Sequence, residues 1–272
     1  GSRAMYICGG GIREIEGGGY DTENKVYRQL GTPSPYVEKK LLRAALAFDY
    51  LVTMGDSVRD FFVQQGARGQ VVVVPGGFDA ELFSPAAAAP GYDLVLVGRL
   101  SPVKRVDVFI EVLQKVSGIR AVVVGDGPAR AELEKLAAER GVANRIDFVG
   151  WQNDVHAWLR QSRIFVLTSQ SEGLSQAMVQ AMLCGLPVVV SNVGDLRDLV
   201  VNGRNGFLVT PGNADECAAQ VAELCSDDAR RSRMGEQARS DALRLSVANV
   251  SVQWDDILSG ADACRSRPRS TV

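Results

Sequence analysis

A carboxylate and an amide lie eight residues apart, at Glu172 and Gln180, within the segment Ser171–Val190 (SEGLSQAMVQAMLCGLPVVV). The segment reads as a loop, a helix and a buried strand, because Gly185 is typical of the position after a helix and Pro187 blocks a return to helix. Eight residues are just over two helical turns, so Glu172 and Gln180 face roughly the same side. The unpaired N–H groups at the helix start suit a phosphate. A carboxylate beside such a site indicates a neutral ligand rich in hydroxyls, such as a sugar.

Two cations follow an apolar strand-like run earlier in the chain. Arg99 stands where the run ends, and Lys104 stands at the start of the next predicted helix. From these positions both side chains can reach one anion, and a diphosphate that departs as a leaving group needs such cations. The alternative interpretation is an ordinary surface Arg and Lys. The phosphate-type helix start in Ser171–Val190 favours the first interpretation.

The elements that must position these residues alternate regularly along the chain. Continuous apolar runs alternate with amphipathic stretches, which indicates an α/β fold with a parallel sheet covered by helices on both faces. Ligands bind such sheets at the carboxyl ends of the strands, where the candidate residues fall. The predicted strands are Asp93–Val97, Arg120–Val124, Arg145–Val149 and Ile164–Leu167, and the predicted helices are Val103–Val116, Ala129–Arg140, Val155–Gln161, Asn213–Cys225, Asp227–Arg244 and Val250–Leu258.

The part before Asp93 reads as a second, smaller region. Strand, helix and strand patterns follow one another in DYLVTMG, SVRDFFVQQG and QVVVVPGG, and the spacer Ala86–Gly91 (AAAAPG) is typical of a linker. The helix-like stretch Val37–Leu51 has a basic side, which fits either a solvated face of a packed helix or a contact with an anionic membrane. We expect a partial N-terminal domain over residues 1–88, a donor-binding domain over 89–245, a C-terminal helix over 246–262 and a tail over 263–272.

Composition excludes several classes of protein. A net charge of −2 gives no basic footprint for nucleic acid, and a single histidine argues against His-based metal sites and Ser-His-Asp triads. Five scattered cysteines indicate reduced thiols rather than a disulfide framework. Apolar runs are shorter than the ~20 residues that a membrane span needs. We expect a cytoplasmic protein, with peripheral contact at the inner membrane face left open.

Several of these motifs together resemble the retaining glycosyltransferases of family 4, also called glycosyl transferases group 1. The segment from Glu172 to Gln180 resembles their Glu-x7-Glu signature, and Gly98–Lys104 resembles their Gly-Arg-Leu-x-x-x-Lys-Gly motif. Gly203–Val209 (GRNGFLV) is similar to Asn-Gly-x-Leu-Val, and Asn192–Asp198 is similar to the Gly-Gly-x-x-Glu turn. The resemblance covers residues 48–209.

The resemblance implies a GT-B-type fold: a Rossmann-like donor domain with a partial second Rossmann-like domain. It implies transfer of a hexose from a UDP or GDP sugar to a glycan, lipid or small-molecule acceptor, with retention and without metal or cofactor, in bacterial polysaccharide or glycolipid biosynthesis. The implied catalytic residues are Arg99, Lys104 and Glu172. The implied donor-binding residues are Gly98, Gly125, Asp126, Gly127, Gly150, Trp151, Gly173, Leu174, Ser175 and Gln180, where Trp151 is either a stacking platform for the base or a partly buried structural residue.

Four departures from the family pattern leave a second function open. Gln180 replaces the second Glu, Arg105 replaces the usual Gly, and Cys8-Gly9-Gly10 stands in place of a His-Gly pair. Residues 1–88 are also too few for the family's whole N-terminal domain, so this chain can be an incomplete enzyme that is inactive alone. The alternative is a module that binds a nucleotide sugar without transferring it. A GT-B-fold epimerase would need acid and base groups at the cleft, with histidine among them, and the single histidine of this chain argues against that function. The sugar, the base, the acceptor and the oligomeric state stay open.

Overall fold

The structure is a computed structural model that describes residues 5–8, 43, 46–86 and 91–265. It divides the chain into two compact units. Unit 1 combines Gly1–Phe78 with Arg244–Val272, and unit 2 is Asp79–Leu243. The domain bounds predicted from the sequence stay a prediction. Gly9 and Gly10 lie outside the described residues.

Unit 1 contains a three-stranded parallel sheet in the order β1-β2-β3. Helix α1 follows β2, and two phenylalanines of α1 pack with Leu51 in one core cluster. The predicted strand, helix and strand are confirmed, but the helix predicted to run to Leu51 is wrong at its end because that residue belongs to β2. Most of its earlier residues lie outside the described ones. The elements of unit 1 are β1 (Met5–Cys8), β2 (Tyr50–Thr53), α1 (Asp56–Gln64), β3 (Gln70–Val73) and α9 (Val247–Arg265).

Unit 2 is built on a six-stranded sheet in the order β6-β5-β4-β7-β8-β9, with every pairing parallel. Its central strands are buried on both faces, as continuous apolar runs require. The order reverses between β4 and β7, so the connections leave these neighbouring strands in opposite directions along the sheet. The strands are β4 (Tyr92–Val97), β5 (Ala121–Val124), β6 (Ile146–Gly150), β7 (Ser162–Leu167), β8 (Val188–Ser191) and β9 (Gly206–Val209).

The helices of unit 2 pack against one another as well as against the sheet. Helix α2 packs against α3 and α7, helix α5 packs against α4 and α8, and α7 also contacts α8. This layered α/β architecture confirms the predicted fold class. The helices are α2 (Val106–Lys115), α3 (Arg130–Glu139), α4 (Val155–Arg160), α5 (Gln176–Leu183), α6 (Leu196–Leu199), α7 (Ala214–Ser226) and α8 (Asp228–Ala242).

The helix predicted over Val103–Val116 is interrupted at Arg105. A short 3-10 turn covers Pro102–Lys104, and Arg105 then takes a left-handed conformation with φ of 47° and ψ of 46° before α2 begins. Left-handed backbone is costly for any residue with a Cβ atom. The sequence hides this break because glycine, which signals such a position, is absent here.

Candidate functional site

The candidate residues gather at the carboxyl ends of β4 and β7. These strands are neighbours in parallel register, with Leu94 opposite Ile164 and Val95 opposite Phe165. The loop after β4 carries Lys104, and the loop after β7 carries Glu172. Because the order of the sheet reverses between these two strands, a crevice opens at this edge, and α/β sheets bind ligands in such crevices.

Lys104 and Glu172 form a close ion pair in this crevice. Lys104 Nζ lies 2.5 Å from Glu172 Oε1, and their side chains are 18% and 10% exposed. The hydroxyl of Ser169, which is fully buried, donates to the same carboxylate oxygen at 2.6 Å. The side chain of Glu172 is therefore positioned by one cation and one hydroxyl, which both contact Oε1.

Hydrogen bonds between the two loops position the backbone around Lys104. The Thr168 hydroxyl donates to the carbonyls of Lys104 and Arg105, at 3.1 and 2.8 Å. The Gln170 N–H donates to the Val103 carbonyl at 2.8 Å. The left-handed turn at Arg105 aims these carbonyls at the β7 loop. The Arg105 guanidinium forms three hydrogen bonds with Asp107, which raise the pKa of Arg105.

The start of α5 lies beside Glu172. Ser175 is the N-cap residue, and its hydroxyl accepts from the Met178 N–H. The N–H groups at the beginning of a helix lack partners within the helix and suit an anion. Gly173 and Leu174 are half-buried in the preceding loop. Gly194 closes this loop from the other side, because a Cβ atom there would lie 1.7 Å from the Glu172 carbonyl oxygen.

Three glycines form tight contacts at the next strand ends. Gly125 has φ of 138°, and a Cβ atom there would meet the Gly98 carbonyl oxygen at 2.0 Å. A Cβ atom on Gly127 would meet the Leu100 carbonyl oxygen at 2.3 Å. Gly150 lies at the same edge, since the Gly125 N–H donates to the Gly150 carbonyl at 2.8 Å. Only residues without a side chain allow the two loops to approach so closely.

Asp126 is engaged by its neighbours in this loop. Its carboxylate accepts from the Gly127 N–H at 2.7 Å and pairs with Arg130 at 3.0 Å. These contacts, the Gly127 bond first, lower the pKa of Asp126. Arg130 also donates to the Phe148 carbonyl at 3.0 Å, so it joins the ends of β5 and β6. Asp126 therefore shapes the loop.

Three predicted site residues carry fewer contacts. Arg99 is exposed, and it forms no ion pair with another residue that the structure describes. Gln180 is half-buried, and its amide makes no side-chain hydrogen bond within the described chain. Trp151 is 77% exposed, and its Nε1 donates to Asn153 at 3.3 Å. The interpretation of Trp151 as a partly buried structural residue is therefore wrong, and its role as a stacking platform stays a prediction.

Four residues of this edge were missed by sequence reasoning. Thr168 and Ser169 follow β7 directly, so their position at a strand's carboxyl end was an available signal. Gly194 lies in the Asn192–Asp198 turn that resembles a family motif but was not assigned to the site, and Arg130 gave no signal because its contacts depend on how the loops meet.

The structure also bears on metals and membranes. Across residues 5–8, 43, 46–86 and 91–265, no three His, Cys, Asp or Glu side chains are grouped as metal ligands would be. Within the same residues, every helix is too short or too polar to cross a bilayer.

Comparison with known proteins gives the family. Residues 79–241 match the family described as glycosyl transferases group 1. The chain belongs to this family. The matched region lies within unit 2, so the family assignment and the candidate site concern the same part of the chain.

Curated relatives in this family have varied names. The chain is 31% identical over 169 residues to the lipopolysaccharide core biosynthesis glycosyltransferase LpsE of Rhizobium meliloti, covering 62% of this chain and 48% of LpsE. It is 30% identical over 258 residues to the D-inositol 3-phosphate glycosyltransferase of Nocardiopsis dassonvillei, covering 85% of this chain and 59% of that protein. The chain spans less than two thirds of the length of these relatives.

Solved structures agree with the glycosyltransferase fold. Anabaena HepE in complex with UDP and glucose aligns with a TM-score of 0.75 and 26% identity, over 84% of this chain and 69% of HepE. A sucrose-phosphate synthase from Thermosynechococcus elongatus aligns with a TM-score of 0.79 at 18% identity, over 96% of this chain and 68% of that one, which supports the fold alone.

Proposed function

We propose that unit 2 binds the nucleotide diphosphate of a sugar donor, and that the whole enzyme transfers the hexose with retention, as in family 4. The observation that carries this proposal is the Lys104–Glu172 pair at the start of α5. One cation, one carboxylate and a capped helix start share a crevice at the switch point of the sheet. A phosphate and a sugar joined in one ligand match these three features.

The diphosphate is assigned to the cationic side of the crevice. Lys104 and the N–H groups of Gly173–Ser175 bind its oxygens, and Arg99 reaches it from the end of β4. Arg99 is exposed and free of ion pairs among the described residues, so it is available to an incoming anion. As the sugar–phosphate bond breaks, these donors stabilise the charge that develops on the leaving diphosphate.

The sugar and the nucleoside are assigned to the remaining groups. Glu172 accepts hydrogen bonds from sugar hydroxyls, and Gln180 bonds the ribose. The β4 and β5 loops, whose glycines allow them to pack closely together, border the nucleotide, and Trp151 is exposed for stacking on the base. We take UDP as the first candidate, since HepE, at 26% identity, binds UDP and glucose.

Retention follows from a front-face displacement. The acceptor hydroxyl oxygen bonds to the anomeric carbon on the side that the diphosphate leaves, and the sugar–phosphate C–O bond breaks. The hydroxyl proton passes to the leaving phosphate oxygen, so no protein base is required. Because Arg99, Lys104 and the helix start supply positive charge, we expect transfer by the whole enzyme to persist in EDTA. A strict requirement for Mg²⁺ or Mn²⁺ would contradict this chemistry.

The acceptor and the cellular location stay predictions. The names of relatives mention lipopolysaccharide core biosynthesis, L-malate and D-inositol 3-phosphate, which are chemically diverse. We therefore propose a glycan, lipid-linked or small-molecule acceptor without choosing among them. A cytoplasmic location with peripheral membrane contact also stays a prediction.

Calorimetric titration of three variants tests the phosphate assignment. Arg99→Ala and Lys104→Ala should each weaken UDP binding about tenfold or more, because a hydrogen bond to a charged group contributes ~1.5–3 kcal/mol. Binding of uridine should change less. Lys135→Ala, on the exposed face of α3, is the matched control and should leave both affinities unchanged. Equal losses for UDP and uridine would contradict a phosphate role.

A second candidate is a nucleotide-sugar-binding module without transferase activity. It is favoured by Gln180, which stands at the position of the second Glu. Transfer or donor hydrolysis by the full-length parent would exclude it. UDP binding with neither activity would support it.

A further inference from the structure

A polar cavity lies within unit 2 at the amino ends of the strands, whereas Lys104 lies at their carboxyl ends. It has a volume of about 350 Å³. Two of its residues immediately precede β9, which is parallel to β8, so the cavity lies at the amino ends of the strands. We call it the arginine cavity, and its lining residues are Gly203, Arg204, Arg230, Arg233, Met234 and Gln237.

Neighbouring acids orient two of the three arginines. Arg204 pairs with Asp241 at 2.6 Å, and Arg230 pairs with Glu223 at 2.6 Å. Arg230 also lies 5.7 Å from the centre of the Phe207 ring, which fixes its plane. These two guanidinium groups are therefore held in place before any ligand arrives.

Asp241, the partner of Arg204, accepts two further hydrogen bonds. Asn205, which is fully buried, donates to Asp241 at 2.8 Å, and Gln237 donates to it at 3.0 Å. This network joins the loop before β9 to α8. Arg204, Asn205 and Gln237 therefore all bond the Asp241 carboxylate on this side of the cavity.

Arg233 is the arginine of the cavity that has no acidic partner among the described residues. Its side chain is exposed. Arg230 also stands in the first turn of α8, where the helix dipole disfavours a cation. An anion bound between Arg230 and Arg233 would offset the dipole and balance the charge of Arg233.

We propose that the arginine cavity binds a phosphate group at a site separate from the donor crevice. A guanidinium presents a planar pair of donors that matches two phosphate oxygens, and fixed guanidinium groups lose little freedom on binding. The volume lies within the range of small-ligand sites. The phosphate comes either from a soluble phosphorylated compound or from a lipid headgroup. This site is independent of the proposed function.

A phosphate titration of the full chain, followed residue by residue by NMR, tests the proposal. The probe is inorganic phosphate at constant ionic strength, and the amides of Gly203 and Arg233 should shift in a saturable manner. Arg233→Ala should weaken this binding about tenfold and should leave the melting temperature unchanged, since the side chain is exposed and unpaired among the described residues. Arg140→Ala, which removes a paired arginine at the end of α3, is the matched control.

Two further arms separate the sources and the sites. Binding to vesicles that contain phosphatidic acid, lost in Arg233→Ala, would assign the phosphate to a lipid, whereas shifts with free phosphate and no vesicle binding would assign it to a soluble compound. Lys104→Ala should leave the arginine cavity's phosphate affinity unchanged. Equal phosphate affinity in wild type and Arg233→Ala, or loss of cavity binding in Lys104→Ala, would overturn the proposal.

Discussion

Replacing Glu172 by Gln should tighten UDP binding while it slows sugar transfer. In the unliganded crevice the Lys104 ammonium lies 2.5 Å from the Glu172 carboxylate, so a diphosphate must compete for that ammonium. The substituted amide would keep the shape of the side chain and the hydrogen bond from Ser169 but would carry no charge. The diphosphate then meets a Lys104 ammonium that is less strongly held, and the negative charge of residue 172 no longer repels it.

The size of the gain follows from the pair's burial. Both side chains are less than a fifth exposed, so solvent screens the pair only in part. A hydrogen bond to a charged group contributes about 1.5–3 kcal/mol, and such a bond is roughly twice as strong as a hydrogen bond between neutral groups. Removing the charge should therefore release about 1–1.5 kcal/mol, which corresponds to UDP affinity about five- to tenfold higher.

Calorimetry with a double-mutant cycle measures this coupling. In the Lys104→Ala background, Glu172→Gln should give no gain in UDP affinity, because the competing ammonium is gone. Glu139→Gln, at an exposed ion pair on α3, is the matched control and should leave UDP affinity unchanged. Unchanged or weaker UDP binding in Glu172→Gln would refute the competition between the carboxylate and the diphosphate.

Three other predictions concern the backbone and the buried thiols. Arg105→Ala should lower the free energy of unfolding by about 1 kcal/mol more than Arg105→Gly does. Both variants lose the contacts with Asp107, but only glycine adopts the left-handed backbone without strain. Equal urea midpoints for the two variants would contradict this prediction. Gly194→Ala should reduce transfer by the whole enzyme ~100-fold, because the added methyl group would displace the Glu172 carbonyl. Gly203→Ala is the control, since Gly203 also has a positive φ but has open space around it, and it should have little effect on the transfer rate. Similar rates in both variants would refute the importance of the contact between Gly194 and Glu172. Burial raises the pKa of Cys184 to about 11 and that of Cys217 to about 12, so iodoacetamide at pH 8 should modify both in urea and neither in the native protein, as mass spectrometry would detect. Because these folded thiols keep their protons above the unfolded pKa of ~8.5, stability should fall as pH rises beyond it.

The sequence predicted the fold of unit 2 because buried parallel strands are continuous apolar runs. Runs such as Ala121–Val124 are fully buried in the sheet, so their hydrophobicity identifies them without knowledge of their neighbours. The split before α2 was not predicted, since Arg105 itself gives no sign of a left-handed backbone and the signal is the glycine that the family usually carries at this position. The short helix α6 escaped because four residues are too few to show a helical period, and strand β9 escaped because its apolar run, Phe207–Val209, is only three residues long.

The sequence identified the separate halves of the candidate site but not their contact. Lys104 and Glu172 are 68 residues apart, and they meet because β4 and β7 are neighbours, which depends on strand order. Sequence reasoning therefore gave them separate roles on phosphate and sugar. The exposure of Trp151 was equally hidden, because it depends on how the loop after β6 leaves the sheet.

A crystal structure of this chain with UDP-glucose tests the central claim most directly. We expect the diphosphate within hydrogen-bond distance of Lys104 Nζ and of the N–H groups of Gly173–Ser175, with glucose hydroxyls on the Glu172 carboxylate. A diphosphate bound at saturation away from the loops that follow β4 and β7 would contradict the account.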